Sequence, residues 1–321
     1  MQGAGFSGFL KVMAVVLALG LGAGVAVLNW DSGETRPPVP NGYEVFLEAG
    51  RALVGEPPAE LDGSGAETRQ FVRANQEVFR KIRDGLKLES MVVFPGGVDA
   101  TTHAGTHLPE LKTFKMLGRG LVAEGLIAAS EGRRADALEH YLECVRFGQA
   151  CSRGGALIDR LVGFALERMG INHLSEMQNT SDVSEIKNLV MALERLEAEA
   201  ESAEETLENE RRYVRRMFPW WQRLVGKLMP QAIKPALDNF RSKQEVHTQV
   251  FRSVILQLAV RGYRLDTGGP PRTLEDLVPG YLIGIPLDRV SGQSFPYDSV
   301  TGGVSLPEGN GGRGDAGKGI E

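Results

Sequence analysis

The chain has 321 residues, 42% apolar and 24% charged, which excludes wholesale disorder and collagen-like repeats. Two cysteines cannot build a disulfide framework. A formal net charge of −5 offers no basic excess for a phosphate backbone, so nucleic acid is not an expected partner.

From Val12 to Trp30 no residue is charged. As a helix rising ~1.5 Å per residue this run is about 28 Å long, enough to cross a hydrocarbon core of roughly 30 Å. Lys11 precedes it, and Asp31 and Glu34 follow it. The positive-inside rule then keeps Met1 in the cytoplasm and puts the bulk of the chain outside it. The expectation is a membrane anchor over 1–30 in the cell inner membrane, single-pass. A cleaved signal peptide, with Gly24, Val25 and Ala26 as a small-x-small site, leads to the same compartment. Residues 31–42, with Pro37, Pro38 and Pro40, read as an extended tether.

A helical domain is expected over 43–267. Residues 43–54 form a short helix through Tyr43, Phe46, Leu47 and Leu53, and 66–84 carry Phe71, Val72, Val78, Phe79 and Ile82 at helical spacing. The stretch 91–107 reads as irregular. Helices follow over 109–131, ending at Gly132, over 133–150, and over 156–178. An N-cap cluster at Thr180, Ser181 and Asp182, with Glu185 at capping-box spacing, opens one long helix over 183–217. That helix is acidic early and basic late, which suits its dipole, and Glu208 and Arg212 stand four apart as a helpful pair. Another helix spans 236–265, and Gly268, Gly269, Pro270 and Pro271 break it.

Three groups of residues are candidates for a site. His103 and His107 are four apart, a spacing that on a helix puts both imidazoles on one face, as a zinc site requires. Gly105 between them, the surrounding threonines and Pro109 instead suggest a loop, and HExxH is absent, so they are weak metal candidates. Trp220, Trp221, Arg223 and Lys227 mix aromatic and basic character and suit either a membrane interface or a packed junction between helices. Gly125 and Ala137, with Tyr141 and Cys144 following, place small residues and an aromatic where two helices would approach closely. Residues 118–148 resemble one tetratricopeptide hairpin in this respect, and an ordinary antiparallel hairpin accounts for the same pattern. Cys144 and Cys151 read as small core residues. No nucleophile elbow, phosphate loop or dinucleotide fingerprint occurs, and no cofactor is expected.

The stretch 255–306, LQLAVRGYRLDTGGPPRTLEDLVPGYLIGIPLDRVSGQSFPYD and its continuation, resembles the C-terminal segment of type II secretion pseudopilins. That likeness implies a short helix with Leu274 and Leu277 packing back, a turn at Pro286, Asp288 and Gly292, and a strand through Phe295 and Tyr297 with Val304 and Leu306 as its partner. The chain as a whole, chiefly 108–178 and 255–306, resembles a group of membrane-anchored helical proteins frequent in planctomycete-type bacteria, a likeness that implies no activity. Met13 stands where prepilin processing wants a glutamate after Gly8 and Phe9. The expected architecture is mainly α: a transmembrane helix, a helical bundle with one tetratricopeptide-like hairpin, a small α+β cap over 268–308, and a Gly-rich tail over 309–321. The expected function is a non-catalytic extracytoplasmic scaffold or assembly component. Its partners would be the membrane, through the N-terminal helix, and proteins, through the helical domain. The alternative is a metal-dependent hydrolase using the region of His103 and His107.

Overall fold

The computed structural model describes residues 36–94, 100–176, 182–218, 230–289 and 291–307. The expected anchor, the tail, and the stretch holding Trp220, Trp221, Arg223 and Lys227 lie outside them. The described residues are mainly α-helical, with one sheet of two two-residue strands. Among them, no helix is long and apolar enough to cross a membrane.

The chain forms two compact units. One comprises residues up to 177 together with 198–244, and the other comprises 178–197 together with 245–321.

In the first unit, α1 (Gly42–Arg51) is capped by Asn41, whose Oδ1 accepts from the Tyr43 amide at 3.1 Å. The same side chain also exchanges hydrogen bonds with both backbone groups of Met91, tying the segment before the third candidate helix to α1. The expected helix over 66–84 is two helices, α2 (Ala66–Ala74) and α3 (Gln76–Gly85). The reason is Asn75, which is completely buried and uses its side-chain amide on Val54 and Phe71 rather than continuing the ladder. Such side-chain competition with the backbone is what makes Asn a poor interior helix residue.

Three long helices follow: α4 (Ala100–Ser130), α5 (Arg134–Ala150) and α6 (Leu157–Glu176). Gly132, at φ +76°, makes the turn between α4 and α5, in a left-handed conformation that costs a side chain energy. The helices touch nearly backbone to backbone. A Cβ at Gly125 would stand 2.3 Å from the Tyr141 ring, and one at Gly148 would stand 2.7 Å from the Gly163 carbonyl oxygen. Around these crossings, Phe46, Phe114 and Phe147 meet edge to face at 5.1–5.7 Å, a favoured arrangement of aromatic quadrupoles. Cys144 and Cys151 are free and buried.

The expected long helix over 183–217 is also two, α7 (Val183–Glu199) and α8 (Ala203–Met217). Ser202 and Glu205 form a reciprocal capping box that starts α8 afresh. Glu208 pairs with Arg211 and Arg215 at 3.1 Å, on the turns after it. Phe240 of α9 (Pro230–Thr267) joins Leu157, Phe164 and Leu207 in a small apolar cluster beneath α8.

In the second unit, the C-terminal segment docks on the later part of α9. A 3₁₀ turn over Leu274–Leu277 buries both leucines, and Phe295 and Leu282 join them in the core. Tyr281 packs at a tilt against Tyr263, donates to Asp266 at 2.6 Å, and lies under the Lys187 ammonium. Asp288 is buried and accepts from the Ser291 amide and hydroxyl and from Gln249 on α9. Gly292, at φ +70°, closes that turn. Strands β1 (Tyr297–Asp298) and β2 (Gly303–Val304) pair antiparallel, with Tyr297 opposite Val304.

Candidate functional site

The two histidines meet. Residues 100–107, expected as a loop, are the first turns of α4, and Pro109 lies inside that helix. A proline there removes one ladder hydrogen bond, to the carbonyl of Gly105. Side chains and tertiary contacts hold the turn. Thr106 and Thr113 donate back to the carbonyls of His103 and Pro109. The helical spacing stacks the imidazoles of His103 and His107 at 4.8 Å with an interplanar angle of 18°.

His107 is closed in by carboxylates. Its Nε2 lies 2.6 Å from Oδ1 of Asp159, and its Nδ1 lies 3.5 Å from Glu110. Asp159 is 1% exposed and stands in the first turn of α6, where its other oxygen accepts from the Ala156 amide at 2.8 Å. Burial alone would drive the proton off His107, but the charge and hydrogen bond of Asp159, helped by Glu110, outweigh it and lift its pKa to about 10. His103 moves the other way: burial lowers its pKa, and the neighbouring His107 charge lowers it further. One imidazolium and one neutral imidazole therefore share the stack.

Residues from three other segments complete the cluster. Glu210 of α8 reaches the start of α6 and accepts from the Leu157 amide at 2.9 Å. Burial pushes its carboxyl up to about 7, with Asp159 adding to the rise and the Leu157 amide opposing it. Two carboxylates thus serve the otherwise unpaired amides at one helix start, where the dipole favours negative charge. Tyr213 and Phe94 pack against the His103 ring at 5.7 and 6.4 Å. Burial, then Glu210 and Asp159, push the Tyr213 phenol up to about 12. The Tyr43 hydroxyl and Nε2 of His103 are buried and have no hydrogen-bond partner among the described residues.

This arrangement does not fit a shared zinc ion. A metal ligand must present a free lone pair, whereas Nε2 of His107 is held by Asp159 at 2.6 Å and its Nδ1 faces Glu110.

Three side chains elsewhere do have metal-ligand character. Ligand atoms of Glu124, His140 and Glu143 all lie within 4.8 Å of one another. The Arg83 guanidinium already serves them as a cation. It reaches Glu124 at 2.5 Å, Glu143 at 2.7 Å and Nδ1 of His140 at 3.0 Å. Burial opposes its charge, but Glu143 and Glu124 outweigh that and raise its pKa. Burial raises the Glu124 carboxyl, with Arg83 opposing, whereas His140 and Arg83 overcome burial and hold Glu143 low.

Of the residues singled out from the sequence, Gly125 abuts the ring of Tyr141, Tyr141 stacks on His173 at 5.1 Å, and Ala137 is fully buried. Asp159 and Glu210 had no sequence signal, since each is drawn in from tens of residues away. Arg83 and Glu143 were likewise silent among many charged helix residues. No protein-family model, curated protein or solved structure matches the chain.

Proposed function

We propose that the chain is a non-catalytic scaffold or assembly component. It would be anchored in the cell inner membrane by Val12 to Trp30, with its helical units outside the cytoplasm. The observation that carries this reading is the His107–Asp159 pair. Its carboxylate is sealed from solvent, and its two charges are spent on each other and on the start of α6. A general base or a metal ligand needs an unprotonated nitrogen within reach of a substrate, and His107 offers none. The tetratricopeptide-like character of the α4–α5 hairpin agrees with a protein that holds other proteins. The charge asymmetry about the apolar run supports the topology.

Two measurements test the reading. In intact spheroplasts, added protease should degrade the helical units, and protection until lysis would contradict the topology. Metal analysis of the purified chain should find no stoichiometric zinc. One zinc per chain would instead favour a metal-dependent hydrolase at His103 and His107.

A further inference from the structure

A second feature of the first unit lies apart from the buried histidines. Where α2, the start of α3 and the turn between α4 and α5 come together, they leave a cleft of about 450 Å³. That falls within the range of small-molecule sites, roughly 300–1,000 Å³. Three arginines, Arg69, Arg73 and Arg133, line it with His140, which is engaged by Arg83 and Glu143, against two carboxylates, Glu124 and Glu131.

The carboxylates are already neutralised. Glu131 receives both Arg69, at 2.5 Å, and Arg133, at 2.7 Å. Arg133 also donates to Asp136 at 2.6 Å. Glu124 is held by Arg83 at 2.5 Å. Neither acid therefore presents an uncompensated charge to a ligand.

Arg73 is the exception among the cations. Its Nε donates to the Arg69 carbonyl at 3.2 Å, one turn back on its own helix. Its two Nη groups have no partner among the described residues, and its side chain is exposed. The amide of Gln76, on the same cleft, is exposed and likewise has no described partner. Arg73 and Gln76, three positions apart, thus bring a guanidinium fork and an amide donor to one cleft, and both are groups that an oxyanion accepts from. Val72 of α2 and Ile127 of α4, each 9% exposed, show the cleft a small apolar edge.

We propose that this cleft binds a small phosphomonoester, with its phosphate on Arg73 and Gln76 and its carbon body along Val72 and Ile127. Phosphate suits the donors better than carboxylate. Its three free oxygens and near-double charge can use the fork and the amide together, and a carboxylate has only two oxygens in one plane.

The test is a calorimetric titration of the detergent-solubilised full chain with phenyl phosphate, with succinate as a parallel ligand. Saturable binding of phenyl phosphate, weaker binding of succinate, and a loss of about tenfold or more in Arg73→Gln are expected, the order of one charge-assisted fork. Arg73 makes only its one intrahelical bond, so R73Q should melt as the parent does. Arg146, whose partner is Glu139 on α5, lies outside the cleft, and R146Q should leave affinity unchanged. Absence of saturable binding, equal affinity in R73Q and the parent, or succinate binding as tightly as phenyl phosphate would overturn the proposal.

Discussion

Two buried clusters in the first unit use nearly the same parts and differ in where the positive charge resides. Around Asp159 the cation is a histidine. Around Glu124 and Glu143 it is Arg83, and the histidine there, His140, stands beside it. An arginine keeps its charge throughout the accessible pH range, whereas a histidine keeps it only while its surroundings hold the proton on. The first cluster is therefore a conditional lock between α4 and α6, and the second is an unconditional one among α3, α4 and α5. The comparison also separates structural from chemical roles. A histidine with a raised pKa and a sealed carboxylate is a poor base, and two carboxylates that already hold a guanidinium have no vacancy for an ion.

The largest effect should come from removing the anion of the conditional lock. Asp159→Asn breaks this buried pair from one side, so that His107 must give up its proton or keep a charge without its partner, and should destabilise by about 3–5 kcal/mol. Adding His107→Gln in the same chain should restore part of that loss, because the double variant leaves no lone charge. A chemical-denaturation series on the four chains measures it, and a double variant worse than D159N would break the comparison.

Arg83→Ala should come next, at about 1–3 kcal/mol, because this side chain keeps 28% of its surface in water. It should also convert Glu124, His140 and Glu143 into an open ligand set. Zinc should then raise the melting temperature of the variant and leave the parent unmoved. Equal responses of the two chains to zinc would show that Arg83 is not what fills the site.

These residues also mark how far the sequence can be read. The four-residue spacing of His103 and His107 was visible, and so was their shared face, but the local composition pointed to a loop. Gly105 and Pro109 disfavour a helix on intrinsic grounds, and it is Asp159, fifty-two positions on, that pins the turn. Long-range pairs of this kind leave no trace in a single sequence. The opposite holds at Ser202 and Glu205, where the capping-box spacing lies plainly in the chain and splits what the charge run suggested was one helix. The C-terminal segment was the most legible. Its short leucine-bearing turn, its Asp288–Gly292 turn and the pairing of Tyr297 with Val304 all follow local rules of proline, glycine and alternation. Small-residue spacing picked out Gly125 and Ala137 as the close pair, whereas the atoms nearest a Cβ at Gly125 belong to the Tyr141 ring, and the Gly148–Gly163 crossing was not readable, because it joins helices whose register the sequence does not state.

A smaller effect should appear in the pH dependence of stability. The folded pKa of His107 is raised from 6.5 to about 10, so its contribution is fully present below about 6.5 and is lost as pH rises toward 10. Glu210, raised from 4.5 to about 7, acts in the same direction, with its contribution lost between about 4.5 and 7. Unfolding free energy should therefore decline from mildly acidic to alkaline pH, and the decline from about 7 toward 10 should be lost in H107Q. The Arg83 cluster should add no slope from this arginine, so R83A should keep the parent's profile above 6.5 at a lower level.

The most direct test of the central claim is an NMR titration of the two stacked histidines, assigned through H103Q and H107Q. The account predicts that the His107 ring stays protonated through neutral pH and titrates near 10, while His103 titrates below 6.5. A His107 that loses its proton at or below 6.5 would contradict it, and would return this pair to the list of possible bases and metal ligands.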